Sequence, residues 1–159
     1  MIYLSSRSPN YNEIDKIVSW LNDKDLMKYS EQRYKNHTRE TQDSYLMSPD
    51  RYRLIYDTPF TLVGTITAIL DNQNMVADIG ILIGSEHKGC GYGAEAWRKF
   101  SQELATDGIR KIEAGCMAKN KAMIRVFEKN GMILEGTRRY HFQTGKDQYD
   151  DMVLYGMLT

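Results

Sequence analysis

An alternating apolar run that ends in three closely spaced glycines is the feature that most constrains this chain. In the segment from Val76 to Ile83, Ala77, Ile79, Ile81 and Ile83 fall on one face at the spacing of a strand. Gly89, Gly91 and Gly93 follow, and the segment from about Gly93 to Ala105 has apolar residues at helical spacing. The sequence therefore predicts a central strand, a glycine-rich turn and a helix in direct succession.

Glycines between a strand and a helix suit a phosphate ligand. A residue without a Cβ lets the main chain adopt positive φ and approach a ligand closely. The free N–H groups and the dipole of the first helical turn favour an anion such as a pyrophosphate. Residues 88–94 are therefore interpreted as a diphosphate-binding turn, although such turns also occur in proteins that bind no phosphate. The turn lacks the Gly-Lys-Ser/Thr ending of a P-loop and lies in mid-chain, so ATP and NAD are disfavoured.

The other periodic segments predict a mixed α/β order in one domain over residues 1–159. A chain of this length can bury one continuous core and is too short for two. Further helices are predicted over residues 12–21, from a Thr38 N-cap to a point before Pro49, and over 121–129. Further strands are predicted over residues 52–56, 61–70, 111–117, 133–142 and 148–158, after a short apolar start at residues 2–4.

Composition argues against several classes of partner. Lys plus Arg and Asp plus Glu both number 21, and no long basic run is present, so nucleic acid is not expected as a partner. No stretch approaches the roughly 20 apolar residues of a membrane span, and the first ten residues lack the features of a signal peptide, so a cytoplasmic location is expected. Two cysteines and three scattered histidines have no zinc-site spacing, so no metal is assigned.

Four segments of the chain are recognisable motifs: ADIGILIG on the central strand, the loop over residues 88–93, Asn120 followed by RVFEKNGMILEG, and the closing YDDMVLYGML. Together they resemble the GNAT N-acetyltransferases, in the branch that includes ribosomal-protein alanine, spermidine and aminosugar acetyltransferases. The resemblance covers nearly the whole chain. It implies a GNAT fold with a mostly antiparallel, twisted central sheet of six to seven strands, splayed at the fourth and fifth strands, and about four helices. It also implies acetyl-CoA as the cosubstrate.

The resemblance assigns residues to the cofactor. In GNAT proteins the glycine loop binds the CoA pyrophosphate, and the pantetheine arm lies beside the fourth strand like an added strand. The matching positions are Ile81, Leu82, Ile83, Lys88, Gly89, Cys90, Gly91, Tyr92, Gly93 and Ala94. Asn120 matches a residue that contacts the pantetheine, and Phe127 would face the arm near its sulfur. Lys88 stands where Arg or Gln is usual and remains a competent phosphate binder. Many members have a Tyr at the position of Phe127, and its hydroxyl is credited with protonating the departing thiolate.

Acetyl transfer also needs a neutral amine, because an ammonium group has no lone pair to attack a thioester. Asp78 stands where several family members carry a Glu that acts as base; a strand-face acid paired with a neighbour is the alternative. Glu113 is a weaker rival. Tyr140 is a candidate acid, although a thiol of pKa about 8.5 can leave as thiolate without one. Cys116 is expected in the core, so the reaction is predicted to be a direct attack in a ternary complex.

The acceptor side in this family is formed by two segments, here residues 29–34 and 138–143. An aminosugar nucleotide is the first acceptor hypothesis, followed by a protein N-terminal amine. A polyamine ranks third, because it should require a more acidic surface than a neutral chain guarantees. A non-catalytic acyl-CoA-binding domain is the alternative of another class, motivated by Phe127. A homodimer is left open.

Overall fold

The computed structural model describes all of residues 1–159 and contains one seven-stranded sheet. The strands are β1 (Tyr3–Ser5), β2 (Arg51–Thr58), β3 (Thr61–Asp71), β4 (Val76–Ile83), β5 (Lys111–Met117), β6 (Ile133–Gly145) and β7 (Gln148–Leu158). The helices are α1 (Tyr11–Leu21), α2 (Lys24–Met27), α3 (Arg39–Leu46), α4 (Tyr92–Thr106) and α5 (Lys121–Lys129). The spatial order is β1-β2-β3-β4-β5-β7-β6, in which only β4 and β5 are parallel neighbours.

The two faces of the sheet bury different helices. On the face here called the α4 face, Trp97 and Phe100 of α4 and Phe127 of α5 pack against apolar residues of the central strands. On the α1 face, Ile17 and Trp20 of α1 pack against a second, smaller group. This group consists of Leu54, Tyr56 and Leu62, with Leu82 at its margin. Alternation along each strand therefore sends successive side chains of β4 to different surroundings.

Local signals explain where the main helices begin. Asn10 caps α1 in a capping box with Glu13, whose side chain accepts the Asn10 N–H. Thr38 caps α3, and Asn120 caps α5 by accepting the Met123 N–H. Gly108 follows α4 with φ of 92°, a left-handed conformation that glycine adopts without strain. These helix boundaries are determined by residues adjacent in the chain, so they can be predicted from the sequence.

The predicted fold class is confirmed: a mixed, splayed sheet with four helices of eight or more residues. The structure also contains the four-residue helix α2 and a 3-10 turn over Ser85–His87, which were not predicted. Both are too short to show helical periodicity. The strand β6 continues to Gly145, beyond its predicted end at residue 142. None of the helices has the length and apolar character needed to traverse a bilayer.

Candidate active site

The sheet opens between its two parallel strands. Pairing of β4 with β5 is limited to Val76–Asp78 against Lys111–Glu113, and the last paired residues are Asp78 and Glu113. Beyond them, β4 continues through Ile83 and β5 through Met117 with no ladder between the two. Main-chain N–H and C=O groups along this opening are free to bond an extended ligand as an added strand would. Ile81, Leu82 and Ile83, predicted to line the pantetheine arm, are half-buried along it.

The glycine-rich turn lies at the far end of the opening and is shaped for an anion. Gly89 and Gly91 have φ of 78° and 80°, the left-handed region that favours glycine. A Cβ built at either position would meet no atom within 4 Å, so the surface above the turn is open. Gly91 occupies the N-cap of α4 without a side-chain cap, which leaves the first N–H groups of that helix available. Lys88 is exposed beside them, so the residues present fit a diphosphate.

Gly93 serves packing as well as the turn. A Cβ at this position would lie 3.5 Å from Cγ2 of Val126 and 3.7 Å from Cγ1 of Ile83. The start of α4 therefore approaches both β4 and α5 closely. The adjacent Cys90 is exposed, and its thiol contacts only the carbonyl of Lys88 at 3.8 Å.

Residues distant in sequence hold this turn in place. The indole N–H of Trp20 donates to Glu86 at 2.9 Å, and Lys16 forms an ion pair with Glu86 at 3.3 Å. Tyr92 donates its hydroxyl to Asp57 at 2.8 Å, and this hydrogen bond raises the pKa of Tyr92 to about 12. Sequence reasoning missed these anchors because no local pattern marks them.

The start of α5 flanks the opening, but Phe127 lies deeper than predicted. The side-chain oxygen of Asn120 accepts the Met123 N–H and so caps α5, and the residue is half-buried. Phe127 is only 1% exposed, with its ring packed between those of Trp97 and Tyr155 at centroid distances of 5.3 and 5.1 Å. The predicted contact of Phe127 with the pantetheine arm is therefore not available in this conformation, because the ring fills the core.

Cys116 fits the packing role expected for it. The side chain is buried on the α4 face among the core residues of β5 and α5. Burial raises the pKa of this thiol to about 12, so it stays protonated at neutral pH. A protonated, buried thiol is a poor nucleophile, which agrees with direct transfer.

Asp78 projects from the α1 face at the apex of the opening. The side chain is accessible to solvent, yet surrounding protein raises the pKa of Asp78 to about 6, with further contributions from Glu113 and Glu31. No hydrogen bond offsets this effect. Glu31 comes from the segment between α2 and α3, so carboxylates from two other parts of the chain contribute to the potential at Asp78. The alternative of a carboxylate paired with a basic neighbour is not what the structure contains.

A shallow cavity of about 490 Å³ opens beside this carboxylate pair. Its lining includes Asp78, Glu113, Asp71, Arg110 and Lys111. The two cations are already engaged, since Lys111 pairs with Glu135 at 2.8 Å and Arg110 donates to the carbonyl of Asn74 at 2.7 Å. Asp71 accepts two hydrogen bonds from Asn74, so Asp78 and Glu113 are the charged groups in this cavity that remain free for a ligand.

The structure separates Tyr140 from Asp78. Tyr140 is 67% exposed and lies across β7 from Ala118, which follows the end of β5. Glu113, the neighbour of Asp78, precedes Ala118 by five positions, or roughly 16 Å of strand. An acid acts on the departing sulfur and a base on the amine nitrogen, so the two side chains need not meet. The role of Tyr140 as the acid stays a prediction.

The two segments expected to form the acceptor side meet in the structure. Arg33 donates to the carbonyl of Gln143 at 2.6 Å, and its guanidinium lies 5.8 Å from the ring centroid of Phe142. Tyr34 is exposed beside it. A role of these segments in binding the acceptor remains a prediction, but their contact closes one side of the α1 face.

A sheet split between parallel neighbours, with a glycine turn at one end and a carboxylate at the apex, defines an acyltransferase that uses a nucleotide-linked acyl donor. The family model of the GNAT acetyltransferase domain matches residues 5–133, and the chain belongs to that family. The predicted family and enzyme class, with acetyl-CoA as cosubstrate, are thereby confirmed. A comparison with curated protein sequences gives no significant match.

Solved structures of similar fold include three enzymes with different acceptors. The spermidine N-acetyltransferase of Vibrio cholerae, in complex with CoA and spermine, has a TM-score of 0.84 at 20% identity, covering 99% of this chain and 95% of that one. The microcin C7 self-immunity acetyltransferase, with acetyl-CoA and AMP, has a TM-score of 0.82 at 20% identity and coverages of 99% and 92%. A ribosomal L7/L12 α-N-protein acetyltransferase in complex with CoA has a TM-score of 0.82 at 17% identity and coverages of 99% and 93%. Identities this low establish the shared fold and leave the acceptor open.

Proposed function

We propose that this chain, acting as a single domain, transfers an acetyl group from acetyl-CoA to the primary amine of a small molecule. The observation that carries the proposal is the opening between β4 and β5, which runs from Asp78 to the glycine turn. An acyl donor in this opening would have its diphosphate at Gly89 and Gly91 and its reactive end near Asp78. The acceptor would approach from the α1 face, where Asp78 projects.

Asp78 has the protonation behaviour that a general base requires. With a pKa of about 6 it is mostly ionised at neutral pH, yet more basic than an ordinary carboxylate. It would take the proton that the amine must lose before attack. The amine nitrogen then forms a bond to the thioester carbon, the carbon–sulfur bond breaks, and the sulfur departs as thiolate. The second proton that the nitrogen loses on becoming an amide passes to solvent or to this thiolate. A thiol of pKa about 8.5 leaves without an essential acid, so the lack of a tyrosine hydroxyl at Phe127 does not prevent the reaction.

The carboxylates near Asp78 favour an acceptor with a second positive charge. Glu113 and Glu31 would attract an ammonium group and repel the diphosphate of an aminosugar nucleotide. A neutral net charge made a polyamine the third hypothesis, but the charge that matters is the local one beside the reacting group. A small diamine or polyamine is thus the acceptor best supported, ahead of an aminosugar nucleotide and a protein N-terminus.

A panel of amines tests this ranking by release of CoA thiol from acetyl-CoA. We expect spermidine to turn over faster than a nucleotide-linked aminosugar or a peptide with an N-terminal alanine, and Glu113→Gln to reduce the difference. Faster turnover of the aminosugar nucleotide would refute the electrostatic argument. Thermal stabilisation by acetyl-CoA with no turnover of any amine class would favour the non-catalytic alternative.

Two further expectations accompany this function. We propose a cytoplasmic location, which fits the two free cysteines, since a reducing compartment keeps thiols unpaired. A homodimer stays a prediction that light scattering would check.

A further inference from the structure

A three-residue bulge in β6 stands opposite a single residue of β7. Arg138 pairs with Met152 and Phe142 pairs with Asp150, so Arg139, Tyr140 and His141 face only Asp151. Tyr140 has φ of 51°, a left-handed conformation that costs a non-glycine residue roughly 1–2 kcal/mol. Its N–H donates to Oδ1 of Asp151 at 2.8 Å. A charged acceptor for this N–H stabilises the bulge in that conformation.

Asp151 and its neighbour Asp150 in β7 also hold the turn between β5 and α5. The carbonyl of Asp151 accepts the Ala118 N–H at 2.9 Å. The carboxylate of Asp150 accepts the Lys119 N–H through Oδ2 at 3.1 Å and the Asp151 N–H through Oδ1 at 3.0 Å. The next residue is Asn120, which caps α5 and flanks the opening between β4 and β5.

A buried carboxylate without a cation is costly unless hydrogen bonds satisfy it. Asp150 is 7% exposed, and none of the ion pairs of the molecule includes it. Both of its hydrogen bonds go to main-chain N–H groups. Through its bond to Lys119, Asp150 fixes β7 relative to the β5–α5 turn. β7 is in turn paired with β6, which includes the predicted acceptor segment over residues 138–143.

Resting on the function proposed above, we propose that Asp150 and Asp151 are positioning residues that join the acceptor hairpin to the β5–α5 turn. Asp151 sets the bulge that includes Tyr140, beyond which Phe142 and Gln143 contact Arg33. Asp150 sets the turn that leads to Asn120. Neither carboxylate touches the reacting atoms; each acts through the backbone it holds.

The bonding pattern predicts that asparagine replaces one of these residues and not the other. Asp151 uses a single side-chain oxygen, which Asn also offers. Asp150 uses both oxygens, and Asn would present an NH₂ group to one of the two N–H donors. Asp151→Asn should therefore behave like the unmodified protein, whereas Asp150→Asn should behave like Asp150→Ala. A role through negative charge alone would make the two Asn variants equally defective.

Three measurements on the Ala and Asn variants test the proposal. We expect Asp151→Ala to raise the KM for spermidine about tenfold or more with the Kd for CoA within twofold, as for loss of one hydrogen bond to a charged group. We expect Asp150→Ala and Asp150→Asn to weaken CoA binding by a similar factor in calorimetry. Amide hydrogen exchange should accelerate at Tyr140 in Asp151→Ala and at Lys119 in both Asp150 variants. Asp43→Ala, at an exposed residue of α3, is the control for generic loss of a carboxylate.

The outcomes separate this proposal from the proposed function. If no amine is acetylated, the function fails, but CoA affinity and amide exchange still decide the positioning roles without turnover. Equal behaviour of Asp150→Asn and Asp151→Asn, or a fall in Tm with unchanged exchange at Tyr140 and Lys119, would overturn the proposal. Should an Ala variant not fold, the two Asn variants alone provide the comparison.

Discussion

The protonation of Asp78 gives the sharpest test of the site. With a pKa of about 6, this carboxylate is about one tenth ionised at pH 5 and almost fully ionised at pH 8. If Asp78 is the base, kcat/KM should rise about tenfold between these pH values and level off above pH 7. Asp78→Asn should lower the plateau by about 10²–10⁴-fold and remove the acidic limb.

Glu113 provides the quantitative part of this prediction. It lies directly beside Asp78 on the neighbouring strand, and neighbouring strands are about 4.8 Å apart. Two unit charges about 5 Å apart in water-like surroundings interact by about 0.8 kcal/mol, a factor of about four in proton affinity. Glu113→Gln should therefore increase kcat/KM at pH 5 about threefold relative to its own plateau, because Asp78 loses its proton more readily.

Folding stability provides an independent test, because Asp78→Asn should increase stability while it decreases activity. A carboxylate whose pKa is raised in the folded state stabilises the fold only while protonated, and that contribution is lost as the pH rises through about 6. Asp78→Asn should thus raise the free energy of unfolding at pH 8 by less than about 1 kcal/mol after allowance for solvent screening, and with it Tm, while it removes activity. The assay is a pH series of initial rates with matched thermal melts. An acidic limb that persists in Asp78→Asn, or that is unmoved in Glu113→Gln, would refute the reasoning.

Further substitutions at three positions test the cofactor side. Gly91→Asp should weaken CoA binding at least tenfold in calorimetry, since it adds a negative charge at the anion site, whereas Gly91→Ala, which meets no atom, should cost only about 1 kcal/mol of stability. Gly93→Val should lower Tm by overpacking worth about 1–3 kcal/mol, because its methyl groups would meet Val126 and Ile83; an unchanged melt would contradict that close approach. Phe127→Tyr should destabilise the protein without CoA by about 1–3 kcal/mol through a buried, unbonded hydroxyl, and an unchanged Tm would mean that the ring reaches the opening.

Local patterns were enough to predict much of this molecule. The alternation over Val76–Ile83, the three glycines and the cap at Thr38 each depend on residues adjacent in the chain, and the structure has the strand, turn and helix that they indicate. The sequence motifs by themselves indicate the GNAT family. Interactions of this kind are local, so the pattern of consecutive residues predicts them.

Only the tertiary structure decided the chemistry of the site. Glu31 and Glu113 lie far from Asp78 in sequence, and their charges make the surroundings of Asp78 acidic despite a net charge of zero. Phe127 matches a ligand-contacting position of the family, yet packing against Tyr155 places it in the core. Each of these outcomes depends on how separate elements pack. Contacts between segments that are distant in the chain cannot be predicted from the pattern of neighbouring residues.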